Sequence, residues 1–169
     1  QTEENLSPSG FTVRFPDIII SPGDTFHIVL NENYSEFYGD NFVADLVMFG
    51  LSDSSLIGDI GSNSNKMKDV SELIILFKWN DPDNFIEDVD YFLWGTYQTP
   101  INKTGISTYH NDTPIENQLY FEGEAVENYA YSRINTDEID ETEQGGNGIT
   151  GNDATSENFR ESWEIASLP

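Results

Sequence analysis

Leu73-Ile-Ile-Leu-Phe-Lys-Trp-Asn-Asp-Pro-Asp-Asn-Phe-Ile-Glu-Asp-Val-Asp-Tyr-Phe-Leu-Trp-Gly95 is the stretch that decides the fold class of this chain. An apolar run enters the turn Asn80-Asp-Pro-Asp-Asn84, and a second run, rich in aromatic and branched residues, closes on Trp94-Gly95. Pro and the Asx residues supply turn geometry between two segments suited to a pleated surface, which is the signature of a β-hairpin. The motif describes a scaffold and contains no reactive group.

Working toward the N-terminus, Phe11-Thr-Val-Arg-Phe15 alternates apolar and polar residues, the period of a half-buried strand. Asp17-Ile-Ile-Ile20 is a short branched run. In Ser21-Pro-Gly-Asp24, Pro22 presets φ and Gly23 accepts φ > 0, so a turn is expected. Thr25-Phe-His-Ile-Val-Leu30 reads as the next strand, with Phe26, Ile28 and Leu30 sharing one face. Residues 33–41 read as a short helix or irregular loop anchored by Tyr34, Phe37 and Tyr38. Ala44-Asp-Leu-Val-Met-Phe49 reads as a strand and 53–68 as a loop. Residues 1–10 are polar, contain Pro8 and Gly10, and read as a flexible N-terminal arm.

Toward the C-terminus, residues 98–114 are turn-rich, and Gln118-Leu-Tyr-Phe121 and Tyr129-Ala-Tyr-Ser-Arg-Ile134 are short strand candidates. The acidic run 137–143 and the segment Gly145-Gly-Asn-Gly-Ile-Thr-Gly-Asn152 read as long loops without a packed core. Phe159, Trp163 and Ile165 are placed for a last edge strand. Short strands punctuated by turns, with almost no helical periodicity, predict an all-β sandwich or barrel. One domain is expected over residues 11–169, and no internal repeat argues for a solenoid or propeller.

Composition bounds the partners. The chain of 169 residues carries 31 acidic against 7 basic residues, a formal charge of −24. Such a field repels phosphates and anionic headgroups, so nucleic acid and membrane insertion are not expected. No run approaches the ~20 apolar residues of a membrane span. The acids read either as an attraction for divalent cations and tolerance of salty water, or as simple solubility. Aromatic residues make up 13% of the chain, too many for a disordered acidic segment. The absence of cysteine excludes disulfides, thiolate catalysis and cysteine zinc sites. Gln1 in place of Met reads as a processed N-terminus or the boundary of an expressed segment. Sequons at Asn33, Asn102 and Asn111 are either glycosylation acceptors or chance occurrences in an Asn-rich chain.

The constellations for catalysis are thin. His27 falls mid-strand and His110 in a polar loop, and Gly50-Leu-Ser-Asp-Ser54 lacks the final Gly of a nucleophile elbow. Asp88 and Asp90, two residues apart, are read on one strand face at roughly 7 Å. That separation suits paired carboxylates, but in so acidic a chain they are read as an exposed polar face. No enzyme is expected. Calcium is the possible cofactor, because hard cations take several oxygen ligands. Asp81 and Asp83 in the hairpin turn, and Asp137 and Asp140 in the acidic run, are the candidate ligands; otherwise they are ordinary turns and solvated acids. Trp79, Tyr91 and Trp94, along with Tyr34 and Tyr38, are candidates for a sugar-stacking platform, but in a sandwich most of them are expected to be core or strand-face packing.

Ile20-Ser-Pro-Gly-Asp-Thr-Phe-His-Ile-Val29 resembles the apolar, Pro-Gly, apolar-strand step of bacterial lamin-tail-like domains. Phe37-Tyr-Gly39, Leu51-Ser-Asp53, the strand Leu73–Phe77 and Asp88-Val-Asp-Tyr91 follow in the order of that family. Ser132-Arg-Ile-Asn135, Trp163 and the terminal Ala-Ser-Leu-Pro are similar to its closing segment. The resemblance covers 15–95 well and 130–169 loosely. It implies an immunoglobulin-like β-sandwich of short antiparallel strands with long acidic loops, found in secreted and surface proteins, and it carries no catalytic residues. The opening Glu-rich strand of such domains has no counterpart before Phe11. A missing edge strand leaves unpaired backbone that another chain can fill.

The sequence therefore predicts a secreted or cell-surface structural or adhesive protein that self-associates as a layer or filament subunit. Phe11, Val13 and Phe15 of a donated arm, with Trp79, Tyr91 and Trp94, are the expected assembly residues. The alternative is a calcium-assisted module that binds glycan or another extracellular protein.

Overall fold

The computed structural model describes residues 11–30, 34–39, 41–47, 57–61, 67–68, 70–80, 85–95, 100, 102–103, 105, 112–134, 141 and 153–168. The elements are mostly strands with few short helices, compatible with an all-β fold. The chain divides into two compact units, Gln1–Met67 and Lys68–Pro169.

In the first unit, β1 (Phe11–Arg14) pairs antiparallel with a later strand, Ile57–Gly61, with an irregularity between Thr12 and Val13. That partner lies in the segment expected to be loop. β2 (Ile28–Val29) pairs parallel with β3 (Leu46–Val47); Ile57–Gly61 is β4. The expected strand 25–30 is thus only two residues long. His27 just before it is held from outside the ladder: the Asp45 carboxylate accepts its backbone N–H at 2.8 Å. This bond is the main cause holding the Asp45 carboxyl below its ordinary pKa. α1 (Tyr34–Tyr38) fills the expected short helix. Leu46 is the buried centre, with Val13, Ile18, Phe26 and Leu30 packed against it. The Ser21–Asp24 turn forms as expected, closed by Asp24 N–H to Ser21 O at 3.0 Å, with Gly23 at φ +89°.

In the second unit, β5 (Ser71–Asn80) and β6 (Phe85–Gly95) form the hairpin arms read from the sequence, antiparallel from Ser71↔Gly95 to Asn80↔Phe85. The register shifts once. Leu76 faces Asp90 and Phe77 faces Asp88, which leaves Val89 as an extra residue on β6. Side chains alternate along a strand, so neighbours Leu76 and Phe77 point to opposite sides, and their partners Asp90 and Asp88 do too. The bulge therefore overturns the expectation that Asp88 and Asp90 share a face.

β7 (Tyr129–Arg133) pairs antiparallel with β8 (Trp163–Ser167). The segment read as one edge strand from Phe159 starts instead as α2 (Phe159–Ser162), a single turn whose Ser162 N–H reaches Asn158 O at 3.2 Å. Gln118–Phe121 is not a strand; Phe121 alone bridges β6, its N–H donating to Leu93 O at 2.8 Å.

The core of this unit is aromatic. Phe92 stacks on Trp163 with centroids 3.9 Å apart and on Trp94 at 5.3 Å, and it meets Tyr131 and Phe159 edge-on. Each well-placed ring pair contributes about 0.5–1.5 kcal/mol beyond its burial. Tyr91, Leu93, Phe121, Ala154 and Phe159 complete the buried cluster.

Gly95 ends β6 at φ +103°, and a Cβ there would sit 1.9 Å from the Val70 carbonyl oxygen. Gly105 has a similar φ of +80° but nothing within 4 Å. Gly105→Ala is expected to cost about 1 kcal/mol, the conformational penalty alone, and Gly95→Ala several times that because backbone must also move. Denaturant unfolding of the two variants measures the difference.

Candidate functional site

The β6 bulge sends the Asp88 side chain inward, and a small network of buried polar groups forms around it. Asp88 Oδ2 accepts a hydrogen bond from Lys103 Nζ, with the two side chains 3% and 2% exposed. Asp112 Oδ2 lies 3.2 Å from the same Nζ and its side chain is 2% exposed. The Tyr91 ring centroid stands 6.0 Å from the ammonium. A lysine buried to this degree needs ionic and hydrogen-bonding partners, because an isolated ammonium in an apolar interior costs far more than folding can offset.

A second layer fixes these groups. Tyr91 OH donates to Gln118 Oε1 at 3.0 Å, and Gln118 Nε2 donates to Thr113 O at 2.8 Å. The 3-10 turn Ile115–Asn117 lies between those two residues and brings Gln118 back toward Thr113. Asp153 is the anchor of the far side. Its Oδ2 accepts the Thr113 N–H and hydroxyl, each at 2.6 Å. Its Oδ1 accepts the Thr155 N–H at 2.9 Å and hydroxyl at 2.6 Å, capping the turn Ala154–Ser156. Four donors on one carboxylate tie residue 113 to residue 155 across the interior.

Burial sets the protonation of the two carboxylates at the lysine. Desolvation pushes the Asp88 carboxyl up, and the Lys103 charge opposes this in part. Desolvation likewise raises Asp112 from 3.8 to about 6 against the pull of Lys103, with Asp88 and Asp153 adding to the rise. Desolvation, with the charges of Asp112, Asp88 and Asp153, also pushes the Tyr91 hydroxyl up.

A separate ionic group lies at the β7–β8 ribbon. Arg133 Nη2 meets Asp90 Oδ1 at 2.7 Å and Glu157 Oε2 at 3.0 Å, and its guanidinium lies 5.2 Å from the Trp163 ring centre. Trp163 Nε1 donates to Glu157 Oε1 at 3.2 Å. Burial is the largest cause raising the Glu157 carboxyl. Arg160 pairs with Glu122 at the surface.

The residues singled out from the sequence scatter across the molecule. Tyr91 and Trp94 are 0% and 3% exposed, so they are core residues whose rings are closed to a ligand. Trp79 is 44% exposed near the end of β5, and Phe15 sits at the surface margin of the first unit. Val13 is half-buried against Leu46, and the backbone of Phe11 pairs with Gly61. Asp81, Asp83, Asp137, Asp140 and His110 lie outside the described residues. Among the described residues no group of three or more His, Cys, Asp or Glu is arranged to hold a metal ion. Asp88, read as an exposed acid, is instead the centre of the buried network, and Lys103, Thr113 and Gln118 carry no local signal of it. Comparison of the chain with protein-family models, curated proteins and solved structures finds no match.

Lys103→Met removes the positive charge and strands two buried carboxylates. A loss of about 3–5 kcal/mol is expected in chemical denaturation, the range for breaking a buried ion pair from one side. A fold stability unchanged by this substitution would contradict the buried placement of Lys103.

Asp112 also sets a pH dependence. Its folded pKa is raised, so its stabilising contribution is full below its ordinary 3.8 and is lost as pH climbs through about 6. The thermal midpoint should be higher at pH 5 than at pH 7.5, by on the order of 5 °C. Asp112→Asn should flatten this difference in parallel thermal melts.

Proposed function

We propose that this chain is a non-enzymatic structural or adhesive module of a secreted or surface-exposed protein, and that it associates with a second copy of itself through the open edge of β5. The observation that carries the reading is the make-up of that strand. Among the described residues β5 pairs only with β6, so its outer edge is a ten-residue template for another strand. Ile74, Leu76 and Trp79 on it are 43%, 41% and 44% exposed, so part of each apolar side chain is open to a partner strand laid along that edge.

The charges of β5 are self-complementary. In an antiparallel pairing of two copies centred on Ile75, Glu72 of each strand stands opposite Lys78 of the other, Leu73 opposite Phe77, and Ile74 opposite Leu76. Opposite charges directly across a ladder stabilise a pair, and the isologous contact closes on a two-fold axis. A global charge of −24 opposes association, so the local Glu–Lys match sets the register and the apolar side chains provide the attraction. Phe11–Arg14 is not the donated strand in this reading, because as β1 it already has a partner in β4. The resemblance to lamin-tail-like domains, and the immunoglobulin-like sandwich it implies, belong to the same proposal. The strand content and the aromatic packing of the β7–β8 ribbon on Phe92 support it.

Sedimentation velocity over a concentration series tests the edge. The wild type should associate, Ile74→Lys with Leu76→Lys should be monomeric, and Lys78→Glu should weaken association about tenfold or more. Adding Glu72→Lys to Lys78→Glu restores the match and should recover it. A wild type that stays monomeric at every concentration, or a charge reversal without effect, sinks the proposal. Retention of such a monomer by a polysaccharide gel, lost in Trp79→Ala, would then favour a glycan-binding role.

A further inference from the structure

We infer that Lys103 and Asp88 are joined in the mature protein by an intramolecular isopeptide bond, with Asp112 as the group that moves the proton. The inference is independent of strand-edge association. It rests on the arrangement inside the buried network: one primary amine, one carboxyl group in direct hydrogen-bond contact with it, and a second carboxyl at 3.2 Å from the same nitrogen. All three side chains are 2–3% exposed.

Each part of this arrangement favours condensation over a lasting ion pair. Removing an ammonium and a carboxylate from water is costly, and transfer of one proton from Nζ to Asp88 leaves a neutral amine beside a neutral acid. That is the reactive pair, and desolvation already biases Asp88 toward the acid. The acid is fixed on β6 and the amine is held in contact with it inside the same chain, so attack is unimolecular, and such intramolecular reactions have very high effective molarities. Tyr91, fixed by Gln118, covers the amine from one side, and the closed interior limits the water that would reverse the step.

The step balances without a cofactor or oxidant. The Nζ lone pair attacks Asp88 Cγ and forms the C–N bond. Asp112 accepts one proton from Nζ and delivers a proton to the departing hydroxyl of Asp88, so the C–O bond breaks and one water leaves. The product is a secondary amide between the two side chains, whose remaining N–H donates to Asp112. Asp112 ends in the protonation state in which it began, and its raised pKa of about 6 suits both halves of that transfer. Asp153 takes no part: Thr113 and Thr155 occupy it.

The bond closes a loop across 15 residues and has an unambiguous signature in mass. Intact-mass measurement of the denatured chain should give the sequence mass less one water. Trypsin should fail to cut after Lys103 and yield a peptide from Trp79 to Arg133, lighter by one water, that gives no backbone fragments between 88 and 103. Asp88→Ala and Asp112→Ala should both keep the full sequence mass and regain cleavage at Lys103. The digest of the wild type needs no variant to fold. A wild type of full sequence mass that is cleaved at Lys103 overturns the inference, as does a water loss that maps elsewhere. A cross-link that persists in Asp112→Ala overturns the role given to Asp112.

Discussion

A single extra residue, Val89, governs the second unit. Without it β6 would show one consistent alternation, and Asp88 would lie with Asp90 toward the same side. With it, the strand changes sides partway along. Asp88 turns into the interior to meet Lys103, while Asp90 turns the other way to meet Arg133. Further along, Tyr91 to Trp94 are all buried, which requires cover on both faces of the strand. The aromatic side is covered by Tyr131 and Trp163 of the β7–β8 ribbon, and the polar network occupies ground near Asp88 and Tyr91. Core and ionic cluster thus share one strand and depend on the same local irregularity.

Charge in this molecule is unevenly spent. Seven basic residues serve 31 acidic ones, and Lys103, Arg133 and Arg160 all form ion pairs within the second unit. Lys103 and Arg133 are each shared between two carboxylates. A buried cation with more than one acid is a demanding arrangement, since each unneutralised carboxylate must be protonated or hydrogen-bonded. Asp153 meets that demand with four donors, and Asp112 with a raised pKa.

The hairpin was legible because its information is local. Alternation, branched and aromatic residues and an Asx–Pro turn lie within one window, and both arms and the closing Gly95 appear where they are read. The bulge was not, because nothing in Glu87-Asp-Val-Asp90 distinguishes a regular strand from one with an extra residue; only the pairing with Leu76 and Phe77 decides it. Locally Lys103 is only the middle of a sequon, since its partners lie 15 residues before and 9 after, beyond any periodic signal. Phe159 misled for another reason. Its apolar spacing with Trp163 and Ile165 fits a strand, but the Asn158 carbonyl captures the Glu161 and Ser162 N–H groups and curls the segment into a turn before β8 begins. Trp94 and Tyr91 lie on a strand and in the core, as expected of aromatic residues in a β-rich domain, while which faces are covered depends on what the rest of the chain lays over them.

The Asp153 carboxylate has a further consequence, in the order in which the chain matures. Synthesis proceeds from the N-terminus, so β5, β6, Lys103 and Thr113 all exist before Asp153 and Thr155 do. Until the C-terminal segment arrives, the Thr113 N–H and hydroxyl lack the acceptor they finally use, and Phe92 lacks Trp163. The hairpin therefore waits in an incomplete environment, its apolar residues open to whatever else is near. Such long-range closure makes folding slow relative to local pairing. Residues 153–168 are synthesised after the hairpin they cover and act as the lock of the second unit, and chains stalled or truncated before them are the forms in which this unit would be most prone to adhere indiscriminately.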